Sequence, residues 1–441
     1  MRTYSSLRVE RAILIGFLSI ITAGALFIWA FGLAYGRPIG FLDAFFTATS
    51  ATCVTGLVVT DTAMLPLPSQ VTLLVLIQLG GLGVMTVTTA LLVFLKRRIG
   101  IHEGLYLASG LNVDLPSGAR GLVVRVWSIA FLVELAGAVL LFWGFKRHFN
   151  WEEAAWYAVF HSISAFCNAG FSVFSDNLAP YAETLLVPGT IMLLITLGGL
   201  GFLVLHELWN FVTRKNARLS PHTALVGGVS VMLTAAGTVL YLIAEQNVSL
   251  GGEPSWIWKT WNALIMSVSS RTAGFNSVPM RDMSGFGAFV MICLMMIGAS
   301  PGSTGGGMKT STFGLLWLST FSHLRGEENV VFRNRLIPMS NVLLALSVTT
   351  VYIATVFMGA GLLRLMEPHG FKQLLFESAS AMGTVGLSLD LTPRLCAPSK
   401  IVLILLMFWG RVGILTFVYG FTGRGKKPGH VTYAETGIPV G

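Results

Sequence analysis

Apolar residues fall in eight stretches long enough to cross a bilayer: Ala12–Tyr35, Val71–Leu95, Leu122–Trp143, Leu185–Phe211, Thr223–Ala244, Phe286–Phe321, Asn341–Leu363 and Ile401–Phe421. A span needs about 20 such residues. The first is longer than the roughly 7–15-residue core of a signal peptide, so it reads as a span. The sixth is interrupted. Residues 298–307 read GASPGSTGGG, with six glycines or prolines in ten positions. Continuous helix there would cost roughly 1 kcal/mol per Gly and about 3 for Pro. The pattern predicts an unwound loop at mid-membrane depth, with this span as the only broken one.

Between each odd and even span lies a shorter half-apolar stretch: residues 43–57, 154–171, 259–275 and 371–387. Each is too short or too polar to span, and each ends in glycine followed by a large apolar residue: Gly56, Gly170, Gly274 and Gly386. A second landmark follows. LGGLG occurs at 79–83 and 197–201, with counterparts at Ile297-Gly298-Ala299 and at 409–413. From tip glycine to landmark glycine the offsets are 24, 28, 24 and 24. The unit is span, re-entrant segment, span, repeated four times. The predicted fold is all-α integral membrane, four span–pore-helix–span repeats with pseudo-fourfold symmetry around one ion path. The expected divisions are a first repeat with cytoplasmic linker (1–110), second (111–220), third with the broken span (221–337), fourth (338–424) and a cytoplasmic tail (425–441).

Each unit crosses twice, so the four run parallel, which suits an axis along the membrane normal. Non-helical backbone at membrane depth must be buried in protein or line a wet cavity. A ring of four carbonyl-rich loops can replace the hydration shell of a monovalent cation. Runs such as Phe45–Thr52 and Trp156–Phe166 read as pore helices whose C-termini add partial negative charge. Beyond the glycines come Asp61, Asp176, Asp282 and Asp390, an acidic funnel that would concentrate cations.

Only 11% of the 441 residues are charged, with mean hydropathy +0.73. That is less than half the usual soluble fraction, which excludes a soluble enzyme or a disordered chain. The net charge of +9 reads as membrane anchoring, not nucleic-acid binding. With both termini cytoplasmic, 17 of the 29 basic residues fall inside, and every inside segment carries a basic cluster. Cys53, Cys167, Cys293 and Cys396 form no CxxC, and neither a disulfide nor a metal site is expected. GSTGGGMKT resembles a phosphate loop, but Met308 breaks the Gly-Lys spacing and the segment follows an apolar span.

Four intramembrane charges stand out. Arg411 takes the register of Gly81 and Gly199, which predicts a place just under the glycines, with carbonyls of 299–305 as partners. Lys309 follows the loop and is a candidate anchor for it. Glu134, inside span three, is expected to meet a buried donor. Arg271 should point away from the axis, with Glu377 a possible partner.

Taken with SSRTAGFNS (269–277), GSTGGGMK (302–309) and GRVG (410–413), the four glycines resemble the Trk/Ktr/HKT superfamily of potassium transporters over almost the whole chain. The first filter glycine already at Gly56 suits a Ktr-type membrane (ion-translocating) subunit; a Trk-type subunit and a Na⁺-coupled secondary symporter remain the alternatives. The resemblance implies K⁺ uptake across a bacterial inner membrane, Na⁺ stimulation, a homodimer with one path per subunit, and a cytoplasmic nucleotide-binding regulatory ring that carries ATP or ADP. No cofactor is expected on the chain itself. By family position, carbonyls of Val54, Thr55, Asn168, Ala169, Thr272, Ala273, Thr384 and Val385, with Gly56, Gly170, Gly274 and Gly386, would coordinate K⁺. The loop Gly298, Ala299, Ser300, Pro301, Gly302, Ser303, Thr304, Gly305, Gly306 and Gly307, with Lys309 and Arg411, would form the gate. The basic loops around Lys96–Arg98 and Arg325–Arg335 are candidates for the regulatory partner.

Overall fold

The computed structural model describes residues 3–83, 119–213 and 219–413. The clusters Lys96–Arg98 and Arg214, Lys215, Arg218, and the tail 425–441, lie outside the described residues. Four long helices dominate: α1 (Thr3–Ala34), α4 (Ala119–Phe145), α8 (Pro221–Glu245) and α12 (Met339–Met366). They run 25 to 32 residues. At 1.5 Å per residue each exceeds the roughly 30 Å hydrocarbon core. Large apolar side chains cover their outer faces, with Leu135 64% and Val231 71% exposed. Such surface is stable against lipid and would not be against water.

Short helices follow: α2 (Phe41–Thr52), α5 (Trp151–Phe166), α9 (Trp256–Ser269) and α13 (Phe371–Gly383). Their starts are local. Asn150 caps α5 by accepting from Glu153 N–H at 2.9 Å, and Ser255 faces Trp258 N–H in the same way at the start of α9. Next come α3 (Leu67–Leu82), α6 (Leu186–Leu200), α10 (Gly285–Met296) and α14 (Ala397–Val412). Two more helices, α7 (Phe202–Thr213) and α11 (Thr310–Leu324), continue α6 and α10 after breaks.

The expectation of a single broken span is corrected here. Gly201 has φ +92° and separates α6 from α7, so span four is broken as well. A left-handed residue cannot continue an α-helical ladder, which requires φ near −63°. Gly83 (φ +79°) and Gly413 (φ +90°) end α3 and α14 in the equivalent place. A second addition to the all-α expectation is a small antiparallel hairpin, β1 (Val331–Phe332) with β2 (Arg335–Leu336). Its central residues Arg333 (φ +49°) and Asn334 (φ +59°) take the left-handed conformations that match strand twist.

The packing order is cyclic. Helix α3 packs on α5, α6 on α9, α10 on α13, and α14 returns to α2. Lys400 Nζ closes the circuit on Asp43 Oδ1 at 2.6 Å. Three landmark glycines permit the close approach. A Cβ on Gly80, Gly198 or Gly410 would overlap the carbonyl oxygen of Thr52, Phe166 or Met382, each four residues before a tip glycine. Overpacking of this kind costs roughly 1–3 kcal/mol. Gly198→Ala is therefore expected to lower the thermal midpoint of the purified protein. Gly227→Ala, within α8 where a Cβ meets open space, should raise it by removing a helix-interior glycine. Midpoints moving together would contradict the packing account.

Candidate functional site

The short helices end three to five residues before the tip glycines, and the chain then turns sharply. Two positions in every turn are left-handed. Gly56, Gly170, Gly274 and Gly386 have φ of +92°, +70°, +76° and +95°. Two residues earlier, Val54, Asn168, Thr272 and Thr384 have φ of +56°, +59°, +96° and +50°. For β-branched Val and Thr this is an outlier that costs about 1–3 kcal/mol per residue. Left-handed residues on either side of Thr55, Ala169, Ala273 and Val385 interrupt the up-and-down alternation of carbonyls in ordinary extended chain. Backbone bonds hold the turns. Thr55 N–H donates to Ser50 O and Ala169 N–H to Ser164 O, both at 2.7 Å, and Val385 N–H donates to Ser380 O at 2.9 Å. Ser50 Oγ and Ser380 Oγ also accept from Gly56 N–H and Gly386 N–H, at 3.1 and 3.0 Å.

The four tips meet. A Cβ on Gly56 would contact Ala169 O, one on Gly170 would contact Ala273 O, one on Gly274 would contact Val385 O, and one on Gly386 would contact Thr55 O. Each glycine thus abuts the residue preceding the next glycine, and the circuit closes. Beside the ring, Thr55 Oγ1, Thr272 Oγ1 and Thr384 Oγ1 are buried hydroxyls with no hydrogen-bond partner among the described residues.

Residues 298–309 form a non-helical loop against this ring. Gly298 N–H donates to Met308 O at 2.7 Å, Ser300 N–H to Gly199 O at 3.0 Å, and Thr304 N–H to Gly198 O at 3.2 Å. The Thr304 hydroxyl donates to Phe166 O at 3.0 Å, and the Asn168 side-chain amide lies 2.8 Å from it. A Cβ on Gly305 or Gly306 would overlap Thr272 or Thr384. The tip of the loop therefore sits against the residues two before the tip glycines. Gly298, Ala299, Ser300, Thr304, Gly305 and Gly306 are buried, while Pro301, Gly302, Ser303 and Gly307 are partly so. Lys309 Nζ donates to Gly305 O at 2.9 Å.

Arg411 is partly buried and reaches across. One guanidinium nitrogen donates to Thr304 O, the other to Gly80 O and, at 3.3 Å, to Gly81 O. It ties the loop to the end of α3, with the carbonyl partner in 299–305 that its register implied. Among the described residues, no carboxylate lies within ion-pair distance of it. Glu134, expected to meet a buried donor, accepts from Gln78 Nε2 at 3.0 Å; that donor is partly buried. The suggested Arg271–Glu377 pair is not formed. Arg271 donates to Ser230 O at 2.9 Å, turned toward α8, while Glu377 accepts from the hydroxyls of Ser388 and, at 2.7 Å, Thr392. A carboxylate with two hydroxyl donors needs no guanidinium to satisfy it. Of the four acids, Asp176, Asp282 and Asp390 are exposed and Asp61 partly so, its carboxylate accepting from Ala63 N–H at 2.9 Å.

Two features escaped the sequence reading. Three of the left-handed residues before the glycines, Val54, Thr272 and Thr384, carry β-branched side chains that ordinarily argue against that conformation, so no local signal marks them; only Asn168 is of a type that favours it. Glu245 is fully buried at the end of α8 and accepts from Ser249 N–H at 3.2 Å and Ser284 N–H at 2.9 Å. An acid at the end of an apolar run was the available signal.

Apolar helices of bilayer length around buried, non-helical loops that meet centrally are the construction of a multi-pass membrane transporter. Comparison with known proteins names the kind. The family model described as TrkH, cation transport protein, matches residues 17–424. The chain belongs to this family, within the Trk/Ktr superfamily, whose description is of transport and not of catalysis. It is 37% identical to the Ktr system potassium uptake protein B of Bacillus subtilis over 92% of this chain and 91% of that one. It is 35% identical to the protein of the same name from Vibrio alginolyticus, covering 98% and 94%, and 33% identical to the potassium/sodium uptake protein NtpJ of Enterococcus hirae, covering 96% and 95%. The crystal structure of the potassium transporter TrkH from Vibrio parahaemolyticus shares the fold, with TM-score 0.75 at 20% identity over 94% of this chain and 84% of that one.

Proposed function

We propose that this chain takes up K⁺ through a path on the axis of the four tip loops, with the loops as its selectivity filter. In this reading the four span–helix–span units are repeats related by a pseudo-fourfold axis along the membrane normal. The observation that carries it is the closed circuit of tip glycines, each against the carbonyl before the next. Backbone oxygens of residues 54–56, 168–170, 272–274 and 384–386 substitute for water around the ion. The hydroxyls of Thr272 and Thr384, without a hydrogen-bond partner among the described residues, add oxygen ligands at its inner end. The ends of α2, α5, α9 and α13 add partial negative charge.

The loop 298–307, Lys309 and Arg411 form the gate. The loop blocks the inner exit, and the Arg411 guanidinium both latches it and opposes a cation there. Na⁺ stimulation, a homodimer, a cytoplasmic nucleotide-binding ring and cytoplasmic termini complete the reading; the potassium uptake proteins of the two Ktr systems support K⁺ as the ion, and the Arg333 hairpin offers a basic surface for a regulatory subunit.

The test is Rb⁺ uptake in a host lacking its own K⁺ uptake, with and without Na⁺. The wild-type chain should restore uptake. Changing Asp61, Asp176, Asp282 and Asp390 together to Asn should raise the half-saturating Rb⁺ concentration about 3- to 10-fold at low ionic strength, with the difference shrinking at high salt as screening takes over. No uptake by a well-assembled wild type would refute the transport reading; an unchanged half-saturation would remove the funnel alone.

A further inference from the structure

The four tip loops are not braced alike beyond the glycine, and that difference follows a diagonal of the ring. Nine residues before each tip glycine stand Thr47, His161, Ile265 and Glu377; two residues after it stand Val58, Ser172, Asn276 and Ser388. In the second set, His161 Nε2 lies 2.9 Å from Ser172 Oγ. In the fourth, Glu377 accepts from the Ser388 hydroxyl. The first and third sets have no such link. Thr47 spends its hydroxyl on Asp43 O of its own helix, at 2.7 Å, and Ile265 has no polar atom to offer. The cyclic packing places the second and fourth sets opposite each other.

Both links are built into the core. His161 and Glu377 are fully buried. His161 Nδ1–H donates to Tyr157 O at 2.8 Å. In the neutral ring this leaves Nε2 as the acceptor of the Ser172 hydroxyl. The imidazole also stacks on Phe174 with centroids 4.7 Å apart, so its position is set by packing. Ser172 Oγ in turn accepts from Phe174 N–H at 3.0 Å, and Ser388 Oγ from Leu391 N–H at 3.2 Å. Each serine thereby joins its pore helix to the outward continuation of the tip. Glu377 takes the Thr392 hydroxyl as well.

We infer that His161 and Glu377 are positioning residues that set the alkali-cation discrimination of the filter by clamping two opposite walls. The inference rests on the filter reading above. A ring with this additional link on one diagonal resists dilation there more than along the other, where the first and third tips rely on bonds at the turn itself, such as Gly56 N–H to Ser50 Oγ, and the two walls without the link follow through the circuit of glycines. Releasing a clamp lets the carbonyls recede or collapse, which changes how well a cation of given radius is matched. Discrimination should change more than throughput.

The experiment is ⁸⁶Rb⁺ and ²²Na⁺ flux into vesicles holding the purified chain, reported as the Rb⁺/Na⁺ ratio. Glu377→Ile places in the fourth set the side chain that the third already has, and His161→Phe keeps the ring packing without the acceptor. Each should lower the ratio about tenfold, the scale of a lost buried hydrogen bond. Glu377→Gln retains a carbonyl acceptor for Ser388 and should recover most of the ratio. The double variant Ser172→Ala/Ser388→Ala removes only two hydroxyls and gives the same reading should Glu377→Ile fail to assemble. If these variants reduce both fluxes by one factor, the clamps are structural supports and the inference fails. Gly56→Ser is run beside them. A changed ratio there with none in the clamp variants overturns the clamp and leaves the filter standing; an unchanged ratio in Gly56→Ser overturns the filter reading and the clamp with it.

Discussion

Gly170→Ala is expected to reduce Rb⁺ uptake at least about 100-fold while the protein still reaches the membrane, because two independent costs meet at one atom. The residue has φ +70°, where an L side chain is strained by about 1–2 kcal/mol. Its Cβ would lie 2.6 Å from Ala273 O and 2.9 Å from Gly274 Cα. Neither neighbour can retreat without moving the next tip, since Gly274 abuts Val385 in the same way. The displaced atom is a main-chain oxygen of the proposed path, so the defect falls on conduction directly. Uptake with membrane quantity checked by blotting reads the effect. Near-normal uptake would mean that the ring is packing and not path.

Arg411→Ala should have the opposite sign, raising cation flux about tenfold, as removal of a barrier charge from a low-dielectric path. The variant removes the positive charge and frees the carbonyls of Thr304, Gly80 and Gly81 that the guanidinium joins. The loop then keeps its bonds to Gly198 and Gly199 but loses its tie to α3. Deleting Gly302–Gly306 should also raise flux, by removing the obstruction itself. An assembled but inactive Arg411→Ala protein would make Arg411 a hub that holds the fold together.

The register of the tip glycines was legible in the sequence because spacing recurs. Three equal offsets between tip and landmark glycines require only counting, and the structure puts the tip glycines side by side and three of the landmark glycines against carbonyls four residues before those tips. The register of Arg411 against Gly81 and Gly199 gave its neighbourhood for the same reason. Partner choice was not legible. Arg271 and Glu377 are two charges in adjacent stretches, yet a backbone carbonyl and two hydroxyls satisfy them separately. Hydroxyls and carbonyls are everywhere in a sequence, so their geometry cannot be read from it. The break at Gly201 was missed because glycine in an apolar run is compatible with helix at a cost of about 1 kcal/mol. What ends the helix is the φ of one residue, held there by Phe202 N–H donating to Gly302 O at 3.0 Å in a distant loop. The strained Val54, Thr272 and Thr384 show the same limit, since tertiary contacts override local preference there.

The most direct measurement is a crystal structure of the chain grown in Rb⁺, with anomalous scattering locating the ion. The account predicts a peak on the axis between Thr55, Ala169, Ala273 and Val385, with main-chain oxygens from all four sets around it. Well-ordered tips with no peak between them, and Rb⁺ bound elsewhere across the membrane, would contradict it.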